Sequence, residues 1–348
     1  MVEYMKIVII CTNYSSNQDG IGHYAYNLSK ELGKINEIEV EIISGNTEKF
    51  DKISKIKSKV MIESINNFVK NNRSNIDTNT YFLIEYPFLE WNPLVLSSLL
   101  KLRRLCKNNR SKVIISIHEY KRVARLRKVF TDILISISDY IMVSDIETYK
   151  ILKKKSKPIL IRDIPSNIPI TEKKEKEKNL FCYFGLINKS KSFNEMINAW
   201  KLFNKDGKYK LNIYSSTDIE INEMEKFNIR YFKNLEDEEL SKELWKCKYC
   251  VLPIKPGIDL NNGSLKAVAQ HECLPIGIFS NESLSDIGIN IEDNFYTEEN
   301  IAVALGKAIK LSDKQYKFKV DKLAKFGNKY SFKNNAQVII NFITQRKE

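Results

Sequence analysis

Residues 261–270, NNGSLKAVAQ, combine a small uncharged turn with the start of a predicted helix. The first backbone N–H groups of a helix have no partner inside it and carry partial positive charge, so a helix start without a carboxylate can bind phosphate. Here those groups belong to Asn262, Gly263, Ser264 and Leu265. An ordinary cap is the alternative, because the side chain of Asn262 or Ser264 could bond to the first turn.

Other residues with chemical potential fall in loops that follow predicted strands. They are Asp19, Gly20 and Gly22 in the first loop, His118 and Glu119 after a later strand, and Gly185, Asn188 and Lys191 in the second half of the chain. Ligands of open α/β sheets bind beyond the carboxyl ends of the strands. We therefore expect these loops to line ligand sites.

Strands alternate with helices twice along the chain. The predicted strands are 6–11, 38–44, 81–85, 112–118, 140–143 and 159–161 in the first half, and 180–184, 210–214, 229–232, 249–253 and 275–279 in the second. Apolar strands joined by helical crossovers indicate parallel sheets covered on both faces. The sequence therefore predicts an α/β protein with two doubly wound Rossmann-like domains that face a central cleft.

The chain has 348 residues, which is more than one hydrophobic core usually supports. The charged segment ITEKKEKEKN follows two prolines, lacks aromatic residues and has the composition of a linker. We predict a first domain at 1–168, a linker at 169–178 and a second domain at 179–325.

Most of the net charge of +13 lies in one segment, since residues 101–160 carry 16 Lys and Arg against five acids. A predicted helix that starts near Tyr120 would present Arg122, Arg125 and Lys128 on one cationic face. That face could contact anionic lipid or remain solvated. Nucleic acid is disfavoured, because the segment lacks interleaved aromatic residues and shows no motif of a nucleic-acid module.

Composition excludes several other classes. No apolar stretch is long enough for a membrane span, and the N-terminus shows no signal-peptide cleavage pattern, so we expect a cytoplasmic protein. The six cysteines lie mostly in apolar strand contexts, which predicts buried thiols rather than disulfides. Cys247 and Cys250 form a lone CxxC pair, which is weak evidence for zinc, and we expect no metal.

The motifs, taken in order, resemble those of retaining glycosyltransferases with the two-Rossmann GT-B architecture, in the family 4 group. The resemblance rests on DGIGHYAYNLSKEL, VIISIHEY, IPSNIP, YFGLINKSKSFNEMINAW, LPIKPGIDLNNGSLKAVAQ and the terminal YSFKNNAQVIINFI. It covers nearly the whole chain. It implies that residues 326–348 form a last helix that runs back toward the first domain.

The resemblance also implies a nucleotide-sugar donor, UDP- or GDP-linked, in the second domain and an acceptor in the first, with no metal and no other cofactor. His118 and Lys191 would be catalytic, His118 by reaching toward the donor sugar and Lys191 by contacting the phosphates. The donor site would comprise Gly185, Asn188, Lys191, Asn262, Gly263, Ser264, Leu265 and Lys266. The acceptor side would comprise Asp19, Gly20, Gly22 and Glu119.

Such a transferase would act on a glycan or lipid-linked acceptor, in bacterial surface polysaccharide synthesis, as a peripheral protein on the inner face of the cytoplasmic membrane. The sequence departs from the group at three positions. Leu186 stands where an arginine is common, and Ile258 and Lys266 stand where many relatives carry glutamates. Two alternatives therefore stay open: a non-catalytic binding subunit of this architecture, and a nucleotide-sugar epimerase of the same fold.

Overall fold

The computed structural model describes residues 4–14, 20–45, 54–72, 75–88, 92–120, 124–260 and 262–345, except for the side chains of 54–57. The chain divides into two compact units. The first comprises Met1–Ile164 and Phe332–Glu348, and the second Pro165–Ser331.

The first unit is built on a six-stranded parallel sheet in the order β2-β1-β3-β4-β5-β6. Its strands are β1 (Met5–Cys11), β2 (Ile38–Ser44), β3 (Thr80–Tyr86), β4 (Lys112–Ile117), β5 (Tyr140–Val143) and β6 (Ile159–Ile161). Its crossover helices are α1 (Gly20–Leu32), α2 (Ser54–Asn71), α3 (Leu94–Asn109), α4 (Arg125–Ile137) and α5 (Ile146–Leu152).

The central strands are apolar on both faces because helices cover both. Side chains alternate along a strand, so Val8 and Ile10 of β1 join one core with α2, α3 and α4, whereas Ile7 and Ile9 join another with α1. All seven residues of β3 are buried. This packing holds the carboxyl ends of β1, β3 and β4 side by side at one edge of the sheet.

The second unit is a second six-stranded parallel sheet, in the order β12-β11-β10-β7-β8-β9. Its strands are β7 (Glu177–Phe184), β8 (Lys210–Ser215), β9 (Ile229–Lys233), β10 (Cys247–Val251), β11 (Leu274–Gly277) and β12 (Ile289–Asn290). Its helices are α6 (Phe193–Phe203), α7 (Asp237–Lys246), α8 (Gly263–Gln270), α9 (Glu282–Ser285), α10 (Glu298–Ile309) and α11 (Asp313–Lys329). The predicted α/β class with two parallel sheets is confirmed.

The last helix, α12 (Phe332–Thr344), packs in the core of the first unit, on the α1 side of its sheet. The phenol of Tyr24 in α1 donates a hydrogen bond to Asn335 Oδ1 at 2.7 Å, and Asn335 Nδ2 donates to the carbonyl of Asp163 at 2.5 Å. The sequence placed the start of this segment at residue 326. In the structure, residues 326–329 belong to α11, and α12 begins at Phe332.

The charged segment predicted as the linker is bound to the second unit. Lys176 is half-buried, and its Nζ donates to three backbone carbonyls, those of Leu244, Cys247 and His271. The carbonyl of Thr171 accepts a hydrogen bond from Trp245 Nε1 at 3.1 Å. Its lysine-rich composition hides these contacts, and the segment's last residues already form β7.

The helix expected near Tyr120 begins at Arg125 instead, after Ala124 in extended backbone. Tyr120 is buried, and its hydroxyl donates to Asp132 Oδ1 at 3.2 Å, which anchors the chain ahead of the helix. Among the helices of the described residues, none combines the length and the hydropathy required to span a bilayer. All six cysteines are buried thiols, as predicted.

Candidate functional site

The start of α8 presents two backbone N–H groups that no described residue uses. Asn262 is the N-cap, and its side-chain oxygen accepts the N–H of Leu265 at 3.0 Å. No described group accepts from the N–H of Gly263 or of Ser264. The first turn contains no acidic residue. Capping and anion binding are therefore compatible here, because the cap occupies a different amide.

Gly185, immediately after β7, lies against this helix start. Its N–H donates to the carbonyl of Tyr214 at 3.1 Å, and its φ of +132° is a conformation that L side chains rarely adopt. A Cβ at this position would lie 3.1 Å from Ser264 Oγ. The absence of a side chain thus lets the loop after β7 approach the N-terminus of α8 closely.

Lys191 is held in the same loop by hydrogen bonds around Asn188. Asn188 Oδ1 accepts from the N–H of Ser190 at 3.0 Å, and the N–H of Lys191 donates to the carbonyl of Asn188 at 2.9 Å. Lys191 also forms an isolated antiparallel bridge with Ile254, beyond the end of β10. Burial lowers the pKa of the half-buried Lys191 ammonium. A bound anion would offset that loss of solvation.

The first unit carries a cluster of buried polar side chains around His118. Glu85 is the penultimate residue of β3, Ser116 lies in β4, and Arg162 directly follows β6. The backbone N–H of His118 donates to the carbonyl of Tyr86 at 2.9 Å, which fixes the imidazole at the carboxyl end of β4. The side chains of Glu85 and Arg162 are 0% and 1% exposed, so any charge they carry is balanced within the cluster.

The contacts of this cluster converge on Glu85 Oε2. His118 Nε2 lies 2.6 Å from it and Arg162 Nη2 lies 3.4 Å from it. Arg162 Nη2 is also 3.1 Å from His118 Nε2. Ser116 Oγ is hydrogen-bonded to both Glu85 and Arg162. The ring of Tyr24 lies 4.3 Å from Arg162 Cζ and 5.0 Å, edge to face, from the imidazole.

The electrostatics of the cluster set its charge states. Burial alone would raise the pKa of Glu85, but the Arg162 guanidinium and the hydrogen bonds from His118 and Ser116 hold it below its ordinary value. Burial and the nearby Arg162 lower the pKa of His118, and Glu85 opposes them only in part. At neutral pH the carboxylate is therefore ionised and the imidazole is neutral.

No protein-family model and no curated protein matches the sequence. Among solved structures, the chain is similar to an α-glucosyltransferase in complex with UDP-glucose and DNA containing an abasic site. That match has a TM-score of 0.62 and 12% identity, and covers 98% of this chain and 100% of that chain. It is also similar to the E. coli trehalose-6-phosphate synthase bound with UDP-2-fluoro glucose, with a TM-score of 0.58, 9% identity and coverage of 98% and 99%.

The fold is GT-B. A Glycosylation Associate Protein (Gap123) complex from Streptococcus agalactiae is similar over 82% of this chain and 58% of that chain, with a TM-score of 0.55 and 13% identity. At such identities the likeness establishes the GT-B fold alone. What each of these proteins binds is a property of that protein.

Within this GT-B fold, the three departures from the family 4 pattern have definite surroundings. Ile258 is fully buried, and a Cβ on Gly277 would lie 2.5 Å from its Cδ1. Lys266 is 5% exposed, with Nζ 4.9 Å from the ring of Tyr330. Leu186 is 61% exposed. The side chains at 258 and 266 are thus packed inside the second unit, and a role for the Lys266 charge in donor binding stays a prediction.

The remaining predicted residues are distributed as follows. Gly20 begins α1 and Gly22 is buried within it, while Glu119 is exposed beside His118. Asp19 and Arg122 lie outside the described residues. Sequence reasoning missed Glu85 and Arg162. For Glu85, the available signal was a carboxylate inside the otherwise mostly apolar strand TYFLIEY.

The exposed surface of α4 combines cations with apolar side chains. Arg125 and Lys128 are exposed. The neighbouring apolar side chains of Leu126 and Val129 are 73% and 59% exposed. Lys128 Nζ lies 5.2 Å from the ring of Tyr120. Large apolar side chains three residues apart on a helix share a face, so the first turn of α4 presents an amphipathic surface.

Proposed function

We propose that the protein is a glycosyltransferase that moves a sugar from a UDP- or GDP-linked donor to a glycan or lipid-linked acceptor. One observation carries the proposal: no described residue accepts from the N–H groups of Gly263 and Ser264, and the helix start that carries them lies close to Gly185, whose loop also holds Lys191. A helix start of this kind suits a diphosphate. UDP-sugar complexes of proteins with the same GT-B fold support this choice of ligand.

Cleavage of the sugar–phosphate bond leaves negative charge on the departing diphosphate. Fixed N–H donors stabilise that charge without reorganising, and one ammonium adds a full positive charge. The amides of α8 and the Lys191 side chain would together perform the role that a metal ion performs in other transferases. Retention of anomeric configuration and membership of the family 4 group belong to the proposal through the order of the sequence motifs.

We place the acceptor side at an anionic membrane surface, in the synthesis of a bacterial surface polysaccharide. The amphipathic surface of α4 supports this placement. Each basic residue near an anionic leaflet contributes about 1 kcal/mol, and apolar side chains add burial in the headgroup region. No nucleic acid is proposed as a partner.

A thermal-shift screen of the full chain against nucleoside diphosphates and nucleotide sugars tests the donor site. A ligand at roughly 100 times its dissociation constant stabilises the folded state by about 2.7 kcal/mol, so binding is readily detected. Lys191→Ala should abolish most of the shift, whereas the matched variant Lys189→Ala, at an exposed position of the same loop, should retain it. If no diphosphate raises the melting temperature, the donor site is refuted.

A non-catalytic GT-B binding subunit is the second candidate. It is favoured by the exposed Leu186 and the packed Ile258 and Lys266, because the phosphate and ribose contacts typical of the family 4 group are missing. Donor hydrolysis separates the two candidates. A transferase releases free sugar slowly from its donor even without acceptor, and a binding subunit releases none.

A further inference from the structure

The imidazole of His118 faces two groups of opposite character at one nitrogen. Arg162 Nη2 only donates hydrogen bonds, and an ionised Glu85 only accepts them. If the imidazole proton were on Nδ1, the lone pair of Nε2 would lie 2.6 Å from the carboxylate oxygen, and two acceptors would repel each other. With the proton on Nε2, the imidazole donates to Glu85. The contact at 2.6 Å therefore selects the Nε2–H tautomer.

We propose that Glu85 and Arg162 are positioning residues that hold His118 as the Nε2–H tautomer, so that its Nδ1 accepts a hydrogen bond from a sugar hydroxyl. The inference rests on the proposed function. All hydrogen bonds that the described residues make with the imidazole involve Nε2 and none involves Nδ1, so Nδ1 can accept a hydrogen bond from a ligand.

Arg162 acts through Glu85. Its guanidinium keeps the buried carboxylate ionised, and an ionised carboxylate is the stronger acceptor for Nε2–H. The ring of Tyr24 covers Arg162, and the bond from the Tyr24 hydroxyl to Asn335 ties that ring to α12. The orientation of the imidazole therefore depends on β3, β4, α1 and the segment after β6 together.

Stability of the fold alone does not account for this cluster. Glu85 Oε1, Arg162 Nε and Arg162 Nη1 are buried and have no partner among the described residues. A buried ion pair rarely stabilises a fold more than apolar side chains of similar volume, and unpaired buried polar atoms cost free energy. Control of the His118 tautomer gives these charges a role that apolar residues could not perform.

Nitrogen-15 NMR of the histidine-labelled full chain at neutral pH tests the tautomer without reference to activity. The protein has only three histidines, so His118→Ala identifies the resonances of His118. His271 is an internal reference of the opposite kind, because its Nδ1 contacts the Ala267 carbonyl at 2.7 Å and its Nε2 contacts Ser241 Oγ at 2.7 Å. We expect His118 with its proton on Nε2 and His271 with its proton on Nδ1. A proton on Nδ1 of His118, or a doubly protonated ring, overturns the proposal.

A double-mutant cycle on donor turnover tests the functional role. Glu85→Gln should lower kcat at least about tenfold, as loss of a group that orients a reacting histidine does, with little change in donor KM. In a His118→Ala background the same change should cost less than about twofold, because residues that act as one unit are not additive. Equal losses in both backgrounds would overturn the positioning role.

Asp139→Asn is the matched control for folding. Asp139 forms a two-contact ion pair with Arg103, at 2.5 and 2.8 Å, in the same unit and outside the His118 cluster. This variant should lower the melting temperature without changing kcat or the His118 resonances. Arg162→Lys, which keeps a charge but cannot hold Ser116 and Glu85 in the same geometry, should reproduce the kcat loss. If turnover is absent in wild type, the proposed function fails while the NMR result still decides the tautomer.

Discussion

Replacing Gly185 by alanine should damage both the stability and the ligand response of the second unit. The φ of +132° is strained for any L residue, and the added Cβ would lie 3.1 Å from Ser264 Oγ. Residues held in such sparsely populated conformations cost roughly 1–3 kcal/mol. The alanine variant can relieve the strain only by moving the loop after β7 away from α8, which separates the two walls of the proposed anion site.

The size of the effect follows from the size of the unit, which spans Pro165–Ser331. A loss of about 2 kcal/mol lowers the melting temperature of a domain of this length by about 4–8 °C. We expect that decrease in differential scanning calorimetry, together with a loss of the shift that a nucleoside diphosphate produces in wild type. The second result is the specific one, since many variants lower stability.

Two glycine variants separate strain from binding. Gly207→Ala introduces strain at a φ of +65°, where the nearest atom to the new Cβ is the Lys226 carbonyl oxygen at 3.7 Å. It should lower the melting temperature and keep the diphosphate shift. Gly306→Ala lies inside α10 with no atom within 4 Å and should stabilise by up to about 1 kcal/mol. A Gly185→Ala protein that keeps the full diphosphate shift would refute the close approach as a feature of ligand binding.

Three further outcomes are expected. Lys191→Ala should lower donor turnover strongly and leave the melting temperature of the free protein nearly unchanged, because a half-exposed loop lysine contributes little to packing. Lys189→Ala serves as the control. Unchanged turnover in Lys191→Ala would remove Lys191 from the site. Burial lowers the pKa of His271 to about 4, so between the unfolded value near 6.5 and pH 4 only the unfolded chain takes up a proton. The contribution of His271 to the free energy of unfolding is therefore fully present above about pH 6.5 and about 3 kcal/mol smaller at pH 4. Urea unfolding of wild type and His271→Gln at pH 7 and at pH 4 should show that difference. A difference between the two proteins that does not change with pH contradicts the assignment. Finally, the protein should sediment with anionic but not neutral vesicles, and salt should weaken binding because charges are screened within about 8–10 Å. Arg125→Gln with Lys128→Gln should reduce sedimentation, whereas Lys314→Gln with Lys317→Gln on α11 should not, and equal effects of the two pairs would leave α4 as a solvated face.

The sheet architecture could be predicted from the sequence because its signal is local. Each central strand is a run of apolar, mostly β-branched residues between polar loops, as in MKIVIIC of β1 and KVIISI of β4. Parallel strands end at the same edge of a sheet, so the sequence alone predicts candidate sites in the loops after β4 and β7. The glycine of the second loop, Gly185, has a φ of +132° in the structure.

The partners of His118 could not be predicted, because they are brought together only by the order of the strands. Glu85 and Arg162 are 77 positions apart in sequence, and β4 and β5 lie between β3 and β6 in the sheet. Nothing local to either residue indicates the other. The same reasoning applies to Lys176, whose three carbonyl partners come from α7, β10 and the end of α8. A lysine in a charged run indicates a solvated segment until the fold supplies acceptors.

The two candidate sites place charge by opposite means, and this difference is why the departures from the family 4 pattern do not argue against the proposed donor site. At His118 the charge lies on side chains, so loss of Glu85 or Arg162 leaves the other one buried and unpaired. At α8 the donors are the backbone N–H groups of Gly263 and Ser264, which the helix fixes whatever the neighbouring side chains are. Replacement of an arginine by Leu186, or of a glutamate by Lys266, takes away a side-chain contact and leaves those amides in place. Recognition of the donor would then depend on its diphosphate more than on its ribose.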